Sequence, residues 1–255
     1  MRELYGQEGY RVRLDWGPIG ARNSRADLSV VIDVLSFSTS VCIAVERGMR
    51  VFPFPWTGAG AAAFAAEHDA VLAVGRGDAA KDGAVRAPTL SPAGLLACPV
   101  VPRLVLPSPN GSTIAASLRD TGSDVVIGCL RNATATAERL AAALDAGRSV
   151  TLIAAGERWA EDDSLRPALE DQLGASAVLA ALGGLGHGDR MSPEAAAAAD
   201  LFRAGRDRLL EWMRDCVSGR ELMDRGFSAD VDVAAELDAS DVVPVLHDGW
   251  FGRPS

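Results

Sequence analysis

Short apolar runs, rich in valine and isoleucine and bounded by turn residues, recur along this 255-residue chain at 28–34, 50–54, 71–74, 104–106, 125–128 and 150–154. They do not alternate strictly between apolar and polar residues, which is the pattern of strands buried on both faces. Between them lie stretches of helical periodicity at 39–47, 58–68, 112–119, 134–146 and 168–182. In the stretch 134–146, Ala137, Leu140, Ala141 and Leu144 form one apolar stripe, Glu138, Arg139 and Asp145 take the wetter side, and Gly147 is a natural stop. This alternation predicts an α/β fold: a mostly parallel or mixed sheet covered by helices on both faces.

The final quarter changes character. Ser192-Pro193-Glu194 opens one long helical stretch, 192–214, with serine as cap and proline in the first turn. A further helix start at 218–222, a turn into a short helix at 227–232 and an extended segment at 242–246 follow. No linker composition interrupts the chain, so residues 1–255 are expected to form one unit, with room for two lobes. The glycine-rich run 183–188 lacks a preceding strand, which argues for a flexible loop over a dinucleotide fingerprint.

Composition narrows the function. Apolar residues make up 48%, enough for a sizeable core, and the net charge of −9 argues against a nucleic-acid partner while leaving room for a local basic pocket. Cys42, Cys98, Cys129 and Cys216 form no CxxC pair and read as small buried hydrophobes of a reduced, cytoplasmic chain. No apolar stretch reaches membrane-spanning length, and residues 1–7 lack the apolar core of a signal peptide. His68, His187 and His247 stand in unrelated contexts and are not counted as ligands. Walker A, GxSxG, HExxH and Cys-x5-Arg patterns do not occur.

In a parallel sheet the loops that follow the strands gather at one edge, where ligands bind. The first such loop holds Asp33 with Ser36, Ser38, Thr39 and Ser40: an acid at a strand end, then a hydroxyl-rich helix start. A carboxylate can hold a divalent cation and a helix N-terminus attracts anions, but Asp33 and Ser38 can equally serve as plain helix caps. The loop after 104–106 carries Asn110-Gly111-Ser112, able to turn with N–H groups outward or to be an ordinary turn. After 125–128, Arg131 suits either a bidentate anion clamp or the solvent, and Asn132 either a ligand or a cap. After 150–154 comes Ala155-Gly156-Glu157-Arg158, and Glu170-Asp171 opens a later helix, where the macrodipole favours acids in any case.

Taken in order, these segments resemble the 2-phosphosulfolactate phosphatase family. The family's V-I-D-V-L-R-A-T-S-T segment is similar to Val31 through Ser40, T-N-G-T to Pro109 through Ser112, G-S-x-x-N-A to Gly128 through Ala133, and L-E-D-x-x-C-A-G to Leu169 through Ser176. The C-terminal part, from Gly219-Arg220-Glu221-Leu222 to Pro244, is similar too, so the resemblance spans nearly the whole chain. It implies a magnesium-dependent phosphatase acting on a small phosphorylated sulfolactate, a step of coenzyme M biosynthesis where that cofactor is made. Departures stand beside it. Ser36 replaces an arginine, Gly75-Arg76-Gly77-Asp78 replaces G-E-R-G, Leu90-Ser91-Pro92 is what remains of G-N-S-P, and Gly174 replaces a cysteine. Arg76, Arg86 or Arg131 are the candidates to restore the lost charge.

The resulting expectation is that Asp33, Glu170 and Asp171 hold Mg²⁺ and carry the chemistry. Ser38, Thr39, Ser40, Asn110, Gly111, Ser112, Arg131 and Asn132 are expected to bind the phosphate and the rest of a small anionic phosphoester. No nucleic-acid or membrane partner is expected, and a homo-oligomer is left open. The alternative reading is a catalytically weakened or non-catalytic anion-binding member of the same fold.

Overall fold

Strand β2 (Leu28–Ile32) has all five residues buried because it is covered on both sides. Leu28, Val30 and Ile32 pack into one hydrophobic cluster and Val31 into another, so successive side chains feed two cores. The computed structural model of the chain describes residues 2–55, 60–76 and 87–254. The remaining strands are β1 (Val12–Trp16), β3 (Arg50–Pro55), β4 (Val71–Leu72), β5 (Arg103–Ser108), β6 (Asp124–Gly128), β7 (Val150–Ala154), β8 (Glu157–Arg158), β9 (Leu165–Arg166), β10 (Val245–His247) and β11 (Trp250–Gly252). A nine-stranded sheet runs β1-β7-β2-β6-β10-β11-β3-β5-β4, and β8 and β9 form a separate antiparallel pair.

The helices are α1 (Arg2–Tyr5), α2 (Gly17–Asn23), α3 (Phe37–Glu46), α4 (Ala61–Glu67), α5 (Pro92–Ala97), α6 (Gly111–Arg119), α7 (Ala133–Asp145), α8 (Leu169–Leu182), α9 (Pro193–Gly205), α10 (Leu209–Asp215), α11 (Val217–Asp224) and α12 (Ser228–Ala234). One cluster gathers residues of α7, α8 and α9, and the other gathers residues of α3, α5 and α6. The α/β architecture read from the sequence is therefore present, with a mixed sheet. All four cysteines are free and buried. Among the described residues no helix is long and apolar enough to cross a membrane.

The sheet is two parallel halves joined by a hairpin. β1, β7, β2 and β6 are parallel, as are β3, β5 and β4, while β10–β11 pairs antiparallel with β6 on one side and β3 on the other. The halves thus run in opposite senses, yet the loops that follow β2, β5 and β7 still meet. The hairpin touches each half through a single bridged pair, Val245↔Val126 and Phe251↔Val51. Helix α6 packs against both halves, on β2 and β6 and on β3 and β5. Its first turn is thereby delivered to the end of β2.

Other differences have local causes. The stretch 192–214 breaks at Gly205, whose missing Cβ would lie 2.0 Å from the Trp212 ring, and a tight turn at Arg206–Arg208 separates α9 from α10. The glycine run continues α8 as a wide helical turn, Gly183–His187, with Gly186 at φ +94°. The expected start of the 58–68 helix falls partly outside the described residues.

Close packing of α8 on β2 depends on Gly174, where a Cβ would lie 2.5 Å from Val34 and 3.0 Å from Ile32. Gly174→Ala should lower unfolding stability by about 1–3 kcal/mol through overpacking. Gly184→Ala, where a Cβ meets nothing within 4 Å, is the control and should shift it by about 0.5 kcal/mol or less. Equal denaturant midpoints for the two variants would contradict this packing.

Candidate active site

Asp33 ends β2 and is almost buried, at 7% exposure. One carboxylate oxygen accepts from the N–H of Phe37 at 3.0 Å and the other from the N–H of Gly111 at 2.9 Å. Phe37 and Gly111 are the first residues of α3 and α6, so one side chain caps two helices and sits at the positive ends of both. Only glycine fits at 111, because a Cβ there would lie 2.3 Å from the Phe37 ring and 2.8 Å from the Asp33 carboxylate. The capping alternative raised by the sequence is therefore real, and it leaves each Asp33 oxygen with a further lone pair.

The hydroxyls of this loop turn inward. Ser38 Oγ donates to Val31 O at 3.0 Å and accepts from the Asp33 N–H at 2.9 Å. Thr39 Oγ1 donates to Val34 O at 2.8 Å, Ser40 Oγ to Leu90 O at 3.3 Å, and Ser112 Oγ to Phe54 O at 2.9 Å and to Ser108 O. All four residues are at 0–1% exposure. They shape the loops that hold Asp33 and Gly111.

Asp171 ties two more loops together. Its oxygens accept from the N–H groups of Val34 at 2.7 Å and Gly156 at 2.8 Å. Adjacent Glu170 is buried as well. Burial above all, then the charges of Glu170 and Asp33, pushes the Asp171 carboxyl well above its ordinary range. Asp33 is raised to about 6, chiefly by burial, with the two capping N–H groups pulling it back; Glu170 pushes it up and Arg76 draws it down. The Cys216 thiol is pushed up to about 12 by burial and by the charge of Glu170. Glu170 thus shares one electrostatic neighbourhood with Asp33, Asp171 and Cys216.

A fourth acid, Glu157, belongs to this group. It opens β8 directly after Gly156 and accepts from Asn110 Nδ2 at 3.2 Å. Its carboxyl is pushed up to about 7 by burial, then by Asp33 and Glu170, against Asn110 and Arg166. The sequence reading reached its loop without singling it out. The available signal was an acid just past a strand end, as at Asp33.

Arg131 and Asn132 are committed elsewhere. Arg131 pairs with Glu236, lies 3.8 Å from Glu46 and donates to Val233 O at 3.4 Å. Asn132 accepts from the Cys129 N–H at 2.8 Å and donates to Ile127 O and Val242 O at 3.2 and 2.9 Å. Among the described residues neither bonds to the acid group; both pin the C-terminal segment against β6. The cation that does reach Asp33 is Arg76, which donates to Ser36 Oγ at 2.5 Å and to Asp230 Oδ2 at 2.9 Å. Asp230, itself buried, also accepts from Ser91 Oγ and from the Ala93 N–H at 3.1 Å.

The same segments decide the relationship. The family described as 2-phosphosulpholactate phosphatase matches residues 19–249. The chain belongs to that family. It is 29% identical over 226 residues, 88% of this chain and 89% of the relative, to a "Probable 2-phosphosulfolactate phosphatase" of Deinococcus radiodurans. It is 32% identical over 146 residues, 57% of either chain, to a 2-phosphosulfolactate phosphatase of Methanothermobacter thermautotrophicus. At Ser36, where the sequence resemblance leads one to expect an arginine, the Arg76 guanidinium donates to the serine hydroxyl. Gly77, Asp78 and Arg86 lie outside the described residues.

Among the described residues, no three His, Cys, Asp or Glu side chains converge as a ready-made metal cage. The donors present are carboxylate oxygens, which suit a hard cation that keeps water and phosphate oxygens in its shell. Such a cation would relieve the mutual repulsion of Asp33, Glu170 and Asp171.

In EDTA, folded Glu157 keeps its proton up to about pH 7 while an unfolded glutamate loses it near 4.5. Stability should fall as pH rises through that window. Glu157→Gln should therefore melt higher than the parent at pH 8, by about 1–3 kcal/mol of stability, with the two converging below pH 4.5. A gap that does not change with pH would show that Glu157 titrates as an ordinary glutamate.

Proposed function

We propose that this chain hydrolyses the phosphate monoester of a small organic acid, with 2-phosphosulfolactate, the substrate in its relatives' names, as the model compound, and that it uses Mg²⁺. The observation carrying this reading is that the loops bearing Asp33, Glu157 and Glu170–Asp171 are tied to one another, beside Asn110 and Arg76, in a member of a phosphatase family. Asp33, with Glu170 and Asp171, would hold the ion through lone pairs left free by the backbone. Bound there, Mg²⁺ would polarise a phosphoryl oxygen and acidify a water.

The chain's own groups do the rest. The Asn110 amide and the guanidinium of Arg76 orient the phosphoryl group and offset its charge. Glu157, poised at about 7, takes a proton from the attacking water at its carboxylate oxygen. The water oxygen bonds to phosphorus, the ester P–O bond breaks, and the alcohol leaves with a proton from solvent.

Turnover of a small acid phosphate should vanish in EDTA and return with Mg²⁺. Asp33→Asn should yield a folded protein with kcat lowered by about 10³ or more, since the carboxylate both caps and binds. Glu157→Gln should lose about 10²–10⁴ in kcat and the pH–rate limb near 7. Full activity in Asp33→Asn would reject the assignment.

A further inference from the structure

Beyond Arg76 lies a cavity of about 240 Å³ that the phosphoryl chemistry does not need. Leu90, Pro107, Ala73 and Val74 line it with apolar surface, and Arg76 and Arg225 supply its positive charge. Both guanidinium groups stand over the ring of Phe227, at 5.7 and 6.0 Å from its centroid. They differ in how they are held. Arg76 is fixed by Asp230 and Ser36 and largely withdrawn from solvent. Arg225, besides the Phe227 ring, has an exposed Glu221 as its ion-pair partner among the described residues, 3.2 Å away and one helical turn before it. Such a pair contributes a few tenths of a kcal/mol at most, so the Arg225 head can be redirected at little cost.

We propose that this cavity receives the second anionic group of the substrate, a carboxylate or sulfonate, and that Arg225 is the residue that selects for it. The proposal rests on the phosphatase reading for the other end of the substrate. Geometry favours it because Arg76 belongs to both regions: its Nη2 reaches Ser36, three residues past Asp33, and the residue also lines the cavity. A short acid phosphate can therefore place its phosphoryl group beside Asp33 and its acid group against Arg225. A planar guanidinium matches the paired oxygens of a carboxylate or sulfonate. The cavity lies just below the size range of drug-like pockets, which suits a few heavy atoms and no more.

Two measurements on the full chain test this. In the first, kcat/KM is compared for phosphoglycolate, which carries a carboxylate, and for ethyl phosphate, which carries no second charge. The parent should prefer phosphoglycolate. Arg225→Gln should cut that preference about tenfold to hundredfold, mainly through KM, with part of it restored in Arg225→Lys. An unchanged preference overturns the proposal. The second needs no turnover: calorimetry should show sulfoacetate binding to the parent and weakening at least about tenfold in Arg225→Gln, with circular dichroism unchanged. Equal binding, or none to the parent, overturns it. Should the parent hydrolyse neither ester yet bind sulfoacetate through Arg225, the phosphatase reading falls while the cavity assignment stands.

Discussion

One carboxylate holds the centre of this molecule together. Asp33 accepts the first N–H of α3 with one oxygen and the first N–H of α6 with the other, joining positions 78 residues apart. Without it, two helix N-termini would face each other with orphaned donors in a buried place, a cost of about 1–3 kcal/mol for each unsatisfied group. Its acceptor capacity also explains a detail of the sequence: the approach is so close that residue 111 has no room for a side chain. Asp171 repeats the device one loop away, accepting from Val34 and Gly156. The loops after β2, β5 and β7 are thus bound to one another by acids rather than by apolar contact alone.

That construction has an electrostatic consequence. Burial first, and then the charge of Glu170 and, for Glu157 and Asp171, that of Asp33, raises the proton affinity of Asp33, Glu157 and Asp171. Backbone N–H groups stabilise the ionised forms of Asp33 and Asp171 but carry no net charge. Among the described residues, Arg76 and Arg166 are the cations acting on the group; Arg76 is shared with Asp230, and Arg166 stands over the Trp159 ring. An anionic phosphoester would meet repulsion here unless a cation came with it, and this is the physical support for pairing the proposed chemistry with Mg²⁺.

Much of the architecture was legible because burial on both faces leaves a continuous apolar signature, and β2, β5, β6 and β7 carry it. β1 escaped notice because its buried Arg13 and half-buried Asp15 break the run, and Arg13 is satisfied by backbone carbonyls that no local pattern reveals. The β10–β11 hairpin reads in the sequence only as an extended segment at 242–246, although Asp248-Gly249, both with positive φ, is a two-residue turn of the kind hairpins favour. The hydroxyls of residues 38–40 show a deeper limit. A serine at a helix start can face a ligand or its own backbone, and the choice depends on carbonyls such as Val31 O and Leu90 O that only the folded chain brings near. Arg131 and Asn132 were ambiguous for the same reason, since Glu236 and Val242 lie more than 100 residues away.

The departure at Ser36 is best understood through the same long-range logic. A guanidinium supplied from residue 36 would rise from the loop that carries Asp33. Here the charge arrives from Arg76, on a different segment, and the small Ser36 side chain leaves space for it and accepts one of its hydrogen bonds. Asp230 accepts another, and in doing so joins Ser91 and the Ala93 N–H to the same network. The segments around residues 76, 91 and 230 thereby converge on a single arginine, although in sequence only the first looked like a candidate. Anchored by Asp230 and Ser36, Arg76 bears electrostatically on Asp33 and also lines the neighbouring cavity. The positive charge beside Ser36 thus comes from a residue 40 positions along the chain, which no local pattern at Ser36 reveals.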